Sequence, residues 1–240
     1  MSEIMNLLNQ GLKALTQNDL VTSESCFRQA LDKKPDNDMA WYYLGEVYYK
    51  SRKLNDAIAA YKKSAELQPQ HSAKSWVHIG DIMFETGQKE QSVISYERAL
   101  QVDPNNLEAW RQLGYYYATS NDLEKAVECL MKAYKIKNDD ETTLMGLGSV
   151  FEKKNDLKTA IDYYRKSEKI APKNPITKYI LGLVLVKIGN VDEGIESIKQ
   201  SLILAPDFIH GWKFLSSFYK KLGKLTEASE CDEKLESLLK

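Results

Sequence analysis

A tryptophan recurs along the chain at a nearly constant spacing, and this spacing restricts the fold more than any other feature of the sequence. Trp41, Trp76 and Trp110 are 35 and 34 residues apart, and Trp212 follows after 102 residues, which is three times 34. Self-similarity at a fixed period of roughly 20 to 50 residues is the signature of a repeat architecture. The sequence therefore predicts an array of similar units, each packed on its neighbours.

Alignment on the tryptophans shows that other residues recur with them. The second unit carries the fullest set, namely Trp41, Leu44, Gly45, Tyr48, Ala57, Tyr61, Ser64 and Pro69. Related residues recur in seven units, which cover about residues 4–37, 38–72, 73–106, 107–140, 141–174, 175–208 and 209–240. The pattern is weaker in the sixth unit and weakest in the two terminal units, as is typical of units that cap a repeat array.

This pattern resembles that of the tetratricopeptide-repeat (TPR) family, W-x2-L-G-x2-Y followed by A-x3-F and P. The resemblance covers residues 4 to 240, and seven copies in phase make it specific. It implies an all-α fold with two helices per repeat, here termed helix A and helix B. The whole of residues 1–240 is expected to form a single right-handed superhelical solenoid of antiparallel helix pairs, with helix A lining a concave face.

Small residues and turn-forming residues also repeat in phase. Glycine costs up to about 1 kcal/mol inside a helix, so five glycines at one phase of helix A predict close helix packing: Gly45, Gly80, Gly114, Gly148 and Gly182. Just after helix A comes a residue type that tolerates the left-handed conformation, at Asn18, Gly87, Asn121, Asn155, Gly189 and Gly223. Arg52 stands there in the second repeat, which predicts a strained or different turn. An extra residue near His71 predicts a longer loop.

Charge and composition exclude several classes of partner. The chain has 33 Lys+Arg and 34 Asp+Glu, so its net charge is -1. A near-neutral chain has no general attraction to nucleic acid or to anionic lipid. No segment approaches the roughly 18 apolar residues that a membrane-spanning helix needs. The first residues show no secretory signal, and Cys26, Cys129 and Cys231 form no close pair. We therefore expect a cytoplasmic protein without nucleic-acid binding or membrane insertion.

No catalytic or metal-binding pattern stands out. The sequence has no G-x-S-x-G elbow, no P-loop and no H-E-x-x-H motif. His71, His78 and His210 are far apart, and His78 with Asp81 alone does not make a metal site. The cysteines fall at one phase of helix B, where packing is the expected role. Because the repeats use the whole length, we expect a non-enzymatic protein that needs no metal and no cofactor.

The TPR resemblance implies that helix-A side chains not used for packing face the concave groove. Tyrosine and arginine there are residue types that carry binding energy in interfaces. We expect an adaptor that binds a peptide or protein segment through Tyr42, Glu46, Tyr49, His78, Asp81, Arg111, Tyr115, Ser149 and Leu183. The acidic residues of the second and third repeats would favour basic ligand residues. Ordinary solvated helix faces are the alternative reading of the same residues.

One TPR subclass binds the C-terminal tails of Hsp70 and Hsp90 through a carboxylate clamp of Lys, Asn and Arg side chains. No three consecutive repeats here carry that set. Glu46 and Asp81 occupy one of its positions, and both would repel a terminal carboxylate. Binding of these chaperone tails is therefore not expected.

The first helix suggests a second function. Ile4, Leu7, Gly11 and Ala14 form its expected packing stripe. Met5, Leu8, Leu12 and Leu15 fall on the other side, where solvent is expected. A helix that is apolar all round needs cover. Self-association into a homo-oligomer would supply it and would make the protein a self-assembling scaffold. A contact with the short N-terminal tail is the alternative.

Overall fold

The computed structural model describes residues 2–239, apart from the side chain of Ser2. Met1 and Lys240, the two ends of the expected solenoid, lie outside the described residues. Within residues 2–239 the regular structure is entirely helical. The α-helices are α1 (Ser2–Thr16), α2 (Leu20–Lys33), α3 (Asp38–Lys50), α4 (Leu54–Leu67), α5 (Ala73–Glu85), α6 (Lys89–Val102), α7 (Leu107–Thr119), α8 (Leu123–Ile136), α9 (Glu141–Lys153), α10 (Leu157–Ile170), α11 (Pro175–Lys187), α12 (Val191–Leu204), α13 (Ile209–Lys221) and α14 (Leu225–Leu239).

The helices follow the repeat units, with helices A and B of each unit next to each other in the chain. The chain divides into two compact units, unit 1 (Met1–Ser120) and unit 2 (Asn121–Lys240). In unit 1, α1 packs on α2, α3 on α4, and α5 on α6. In unit 2, α9 packs on α10, α11 on α12, and α13 on α14. That residues 1–240 form one continuous right-handed solenoid stays a prediction.

Close packing occurs at the helix-A glycines, as their spacing predicts. A Cβ atom added at Gly80 would lie 2.4 Å from the Tyr96 ring. A Cβ atom at Gly148 would lie 2.4 Å from the Tyr164 ring. Both tyrosines come from helix B of the same repeat and are buried. Glycine at these positions therefore lets a large aromatic ring lie directly against the helix-A backbone.

The turns between helices A and B share one backbone conformation. Positive φ angles occur at Asn18, Arg52, Gly87, Asn121, Asn155, Gly189 and Gly223. The second repeat thus makes the same turn as the others, with Arg52 held at φ 59°. The left-handed conformation costs an ordinary L-residue roughly 1–2 kcal/mol. The expected strain at Arg52 is confirmed, and the alternative of a different turn is wrong.

Replacement of Arg52 should test this strain. We expect Arg52→Asn to raise the free energy of unfolding by about 0.5 kcal/mol, because asparagine tolerates the left-handed region. The gain is reduced by loss of the exposed ion pair with Glu85, worth at most about 1 kcal/mol. Arg52→Val should lower stability by about 1–2 kcal/mol, since a β-branched residue fits this conformation worst. Urea denaturation measures both, and equal stability of the two variants would contradict the strain.

The extra residue between the second and third repeats forms part of a 3-10 turn at Pro69–His71. Elsewhere the indole Nε1 donates to the carbonyl of the proline six residues earlier, in Trp41 to Pro35 (2.8 Å), Trp110 to Pro104 (2.9 Å) and Trp212 to Pro206 (2.8 Å). Trp76 follows Pro69 by seven residues, and the Arg98 guanidinium lies over its ring at 4.6 Å. The insertion therefore changes how one tryptophan is held and leaves the helix pairs intact.

The burial of α1 contradicts the expected exposed leucines. Leu8 and Leu15 are only 4% and 9% exposed, and Leu12 is half-buried against the same core. Met5 alone of the four is well exposed, at 56%. The expectation was wrong because α1 packs on α3 as well as on α2, which covers a second face of the helix. The apolar surface that motivated self-association is part of the core of unit 1.

The three cysteines pack as expected from their phase in helix B. Cys26, Cys129 and Cys231 are buried free thiols. Burial raises the pKa of the Cys129 thiol to about 11. A thiol with a raised pKa carries little thiolate at neutral pH and is a poor nucleophile.

Candidate functional site

Seven of the nine predicted groove residues lie in unit 1, on helix A of three successive repeats. Tyr42, Glu46 and Tyr49 are on α3, His78 and Asp81 are on α5, and Arg111 and Tyr115 are on α7. Ser149 and Leu183 lie in unit 2, on α9 and α11. The repeat phase therefore places the first seven on corresponding helices of one compact unit.

Side chains of α3, α4 and α5 form a hydrogen-bonded cluster around Glu46. Tyr42 Oη and His78 Nε2 are 2.8 Å apart. The same His78 nitrogen lies 3.3 Å from Glu46 Oε1. Tyr61, a buried residue of α4, donates its hydroxyl to Glu46 Oε1 at 2.6 Å. The Tyr61 and His78 rings stack with centroids 5.1 Å apart. Burial, and then the charge of Glu46, raises the pKa of Tyr42, so its hydroxyl stays protonated.

The third repeat has a similar arrangement around Asp81. Tyr96 of α6 donates to Asp81 Oδ1 at 2.8 Å, and the Gln112 side chain of α7 donates to the same oxygen at 2.9 Å. Burial raises the pKa of the Asp81 carboxyl, and the hydrogen bond from Tyr96 opposes this shift. In both repeats a buried helix-B tyrosine thus fixes a helix-A carboxylate. These contacts link α5 to α7 within unit 1.

The remaining predicted residues of unit 1 are also engaged. Tyr49 donates its hydroxyl to Glu85 at 3.2 Å. Arg111 pairs with Glu108 one turn earlier on α7 and is largely covered. Tyr115 is half-buried on the same helix. The side chains are therefore held in place by neighbours, which lowers the entropy that a ligand would lose by ordering them.

A polar cleft of about 440 Å³ borders this cluster. Tyr42, Val77 and His78 form one wall, and Asn106 and Leu107 at the start of α7 form another. Lys74, Asp103, Asn105 and Glu108 complete the lining. The cleft offers donors and acceptors of both charges beside an aromatic wall, which suits a polar peptide segment.

The two predicted residues of unit 2 lie in different surroundings. Ser149 is exposed on α9. Leu183 is half-buried on α11 and packs on an apolar cluster that includes Tyr179, Phe208 and Trp212. Ser149 forms a side-chain hydrogen bond with Tyr164, a buried tyrosine of α10 that also donates to Glu152 at 3.2 Å.

Residue-by-residue reasoning did not find the residues that hold the carboxylates, Tyr61, Tyr96 and Gln112. A signal for the tyrosines is present in the sequence, since Tyr61 follows Glu46 and Tyr96 follows Asp81 by the same 15 residues. Two tyrosine–carboxylate pairs at one spacing in successive repeats indicate a conserved hydrogen-bond geometry within this chain. The contact from Gln112 also has a counterpart, because His78 stands at the same repeat position and its Nε2 lies 3.3 Å from Glu46.

Two carboxylates on α5 should change the stability of the fold with pH in opposite directions. Burial raises the pKa of the Asp81 carboxyl in the folded protein above its ordinary value, so the folded protein holds a proton at a pH where the unfolded chain has already lost it. Stability should therefore fall as pH rises from the ordinary pKa to the raised one. Glu85 has a lowered pKa, mainly through the hydrogen bond from Arg52, and its contribution is lost as pH falls. We expect Asp81→Asn to remove the loss of stability with rising pH, and Glu85→Gln to remove the loss of stability with falling pH. Urea denaturation at a series of pH values from acidic to neutral measures both. The same response in both variants would contradict this.

Comparison with known proteins identifies the family. A tetratricopeptide-repeat family model, described as the Cilia and flagella-associated protein 70 C-terminal domain, matches residues 2–143, more than half of the chain. The chain belongs to this tetratricopeptide-repeat family. A second model, described as Tetratricopeptide repeat, matches residues 142–174 of the TPR chain. The expected all-α TPR fold is therefore confirmed. No curated protein sequence matches the TPR chain.

Solved structures share the fold at low sequence identity. PilF of Pseudomonas aeruginosa is 16% identical, with 90% of this chain and 98% of that chain covered and a TM-score of 0.78. A tetratricopeptide repeat protein from Parabacteroides merdae is 15% identical over 99% of this chain and 94% of that chain, with a TM-score of 0.72. YrrB, described as a TPR protein with an unusual peptide-binding site, is 17% identical over 77% of this chain and 95% of that chain, with a TM-score of 0.60. Likeness at this level shows the fold of the TPR chain.

The described residues also bear on metal binding and on membrane insertion. Among residues 2–239, no three His, Cys, Asp or Glu side chains are grouped so as to hold a metal ion. The described helices also include none with the length and apolar character needed to cross a membrane.

Proposed function

We propose that this TPR chain is a non-enzymatic interaction module that binds a peptide or protein segment on α3, α5 and α7. The observation that carries the proposal is the continuous cluster on helix A of three successive repeats. Tyr42 contacts His78 between α3 and α5, and Asp81 contacts Gln112 between α5 and α7. TPR folds commonly mediate protein–protein interaction, and aromatic and arginine side chains held in place are typical of binding hot spots.

Several finer features belong to the same proposal. YrrB is described as having a peptide-binding site, and we extend peptide binding, without its geometry, to this chain. Tyr49, Arg111 and Tyr115 would widen the contact surface in unit 1. Ser149 and Leu183 would be separate contact points in unit 2. A cytoplasmic location fits the three free thiols. Glu46 and Asp81 make the carboxylate tails of Hsp70 and Hsp90 unsuitable ligands.

A peptide array probed with the wild-type chain and with two groove variants would test the proposal. We expect Tyr49→Ala and Arg111→Ala to weaken the selected binders about tenfold, as for hot-spot residues. A matched control is Lys62→Ala with Lys63→Ala, since both lysines are exposed on α4. Circular dichroism would verify that each variant is folded. Binders that are equally sensitive to the control, or insensitive to both groove variants, would contradict the proposed surface.

Self-assembly through α1 receives no support, because Leu8 and Leu15 are buried in the core of unit 1. The exposed Met5 alone offers little apolar surface. Adaptor binding is accordingly the function that the described residues favour.

A further inference from the structure

The carboxylate of Glu46 has one oxygen engaged and one oxygen open. Tyr61 Oη and His78 Nε2 both approach Oε1, at 2.6 Å and 3.3 Å. No hydrogen bond from the described residues reaches Oε2. The Glu46 side chain is 22% exposed, so the open oxygen belongs to a partly covered but accessible group. A carboxylate fixed through one oxygen presents the other to a ligand in a defined direction.

The surroundings of Glu46 suit a cationic side chain with an apolar stem. Tyr42 and Tyr49 lie four residues before and three residues after Glu46, so the three share one face of α3. Tyrosine rings beside a carboxylate can pack against the methylene stem of lysine or arginine and attract its charge. The hydrogen-bond donors to Glu46 and Asp81 include the neutral groups of Tyr61, Tyr96 and Gln112, which leave the negative charges in place.

We propose that Glu46, flanked by Tyr42 and Tyr49, binds a lysine or arginine side chain of the partner segment through its open oxygen. This inference rests on the proposed peptide-binding function and names the ligand chemistry of the same site. Tyr61 and His78 approach Oε1, so Oε2 is the atom that meets the ligand cation.

The test uses blocked amino acids as probes and the full chain as receptor. Nα-acetyl-lysine amide is titrated at neutral pH, while NMR follows the tyrosine rings of unit 1. We expect saturable shifts from the lysine probe. Nα-acetyl-norleucine amide has the same stem without the charge and should bind about fivefold more weakly, the size expected for a half-exposed charge pair.

Two variants separate the contributions. Glu46→Gln can still accept the hydrogen bond from Tyr61, and it should weaken lysine binding about fivefold. Glu97→Gln removes an exposed carboxylate of α6 outside the site and should leave the affinity unchanged.

Each remaining outcome overturns the inference. Absence of saturable shifts, equal binding of norleucine, or equal losses in Glu46→Gln and Glu97→Gln would do so. If peptides bind the groove in the array and bind Glu46→Gln equally well, this inference is wrong and the proposed function is unaffected. If neither array peptides nor the lysine probe bind, both this inference and the proposed function are wrong.

Discussion

Gly182→Ala should destabilise the α11–α12 pair by about 1–2 kcal/mol, although alanine is the better helix former. The added Cβ would lie 2.6 Å from the carbonyl oxygen of Gly194 and from a side-chain carbon of Ile198. Backbone on a neighbouring helix has little freedom to move, so the two helices would have to separate. Overpacking of this kind costs typically about 1–3 kcal/mol and occasionally more. The gain in helix propensity, about 1 kcal/mol, offsets only part of it.

Gly211→Ala is the matched control within unit 2. A Cβ at Gly211 would meet the Leu202 side chain at 2.8 Å, and the atom it meets is a terminal methyl that can rotate away. We therefore expect a change within about 1 kcal/mol. Hydrogen–deuterium exchange of the α11 and α12 amides measures the difference locally, as a loss of protection of roughly 5- to 30-fold in Gly182→Ala. Equal effects of the two substitutions would show that close backbone packing is not the cause.

The sequence predicts the helix pairs well because their determinants are local and repeat seven times. A glycine at one phase of helix A and a tyrosine in helix B indicate close packing at Gly80 and Gly148. Asparagine or glycine after helix A indicates the left-handed turn. The second repeat shows how the array overrides a local preference, since Arg52 adopts that turn despite its cost.

The exposure of α1 could not be predicted from its own residues. The repeat pattern assigns Leu8 and Leu15 to the side of α1 away from α2, and a single helix pair would leave them in water. They are buried because α3, from the next repeat, covers part of that side. Burial at the end of an array depends on how far the next unit overlaps the first, which the spacing of residues does not specify.

The candidate site was predictable in place but not in its hydrogen bonds. Equal phase in successive helices A was enough to bring Tyr42, Glu46, His78 and Asp81 into one unit. The same phase does not specify which partner each carboxylate takes. Tyr61 and Tyr96 lie in helix B, and their rings are buried in the core. Their hydroxyl groups extend past the glycine contact and reach the helix-A carboxylates, so one residue serves the core and the site together.

Tyr96→Ala should be the most destabilising single substitution in unit 1 among those considered, at about 3–5 kcal/mol. The Tyr96 side chain is 1% exposed, and its ring lies directly against Gly80. Truncation leaves a cavity and removes one of the hydrogen bonds to Asp81. Tyr96→Phe keeps the ring and removes only that hydrogen bond, so we expect a smaller loss of about 1–3 kcal/mol. Urea denaturation followed by circular dichroism measures both losses.

A double-mutant cycle with Gly80 isolates the ring contact from the hydrogen bond. In the wild-type background Gly80→Ala places a Cβ 2.4 Å from the Tyr96 ring, and it should cost about 1–2 kcal/mol after the gain in helix propensity. In the Tyr96→Ala background the ring is gone, so the same substitution should stabilise the protein by up to about 1 kcal/mol. The coupling between the two sites should therefore be about 1–3 kcal/mol. Additive effects would mean that the glycine is retained for a reason other than the tyrosine, and that the carboxylate of Asp81 is held without the support of this packing.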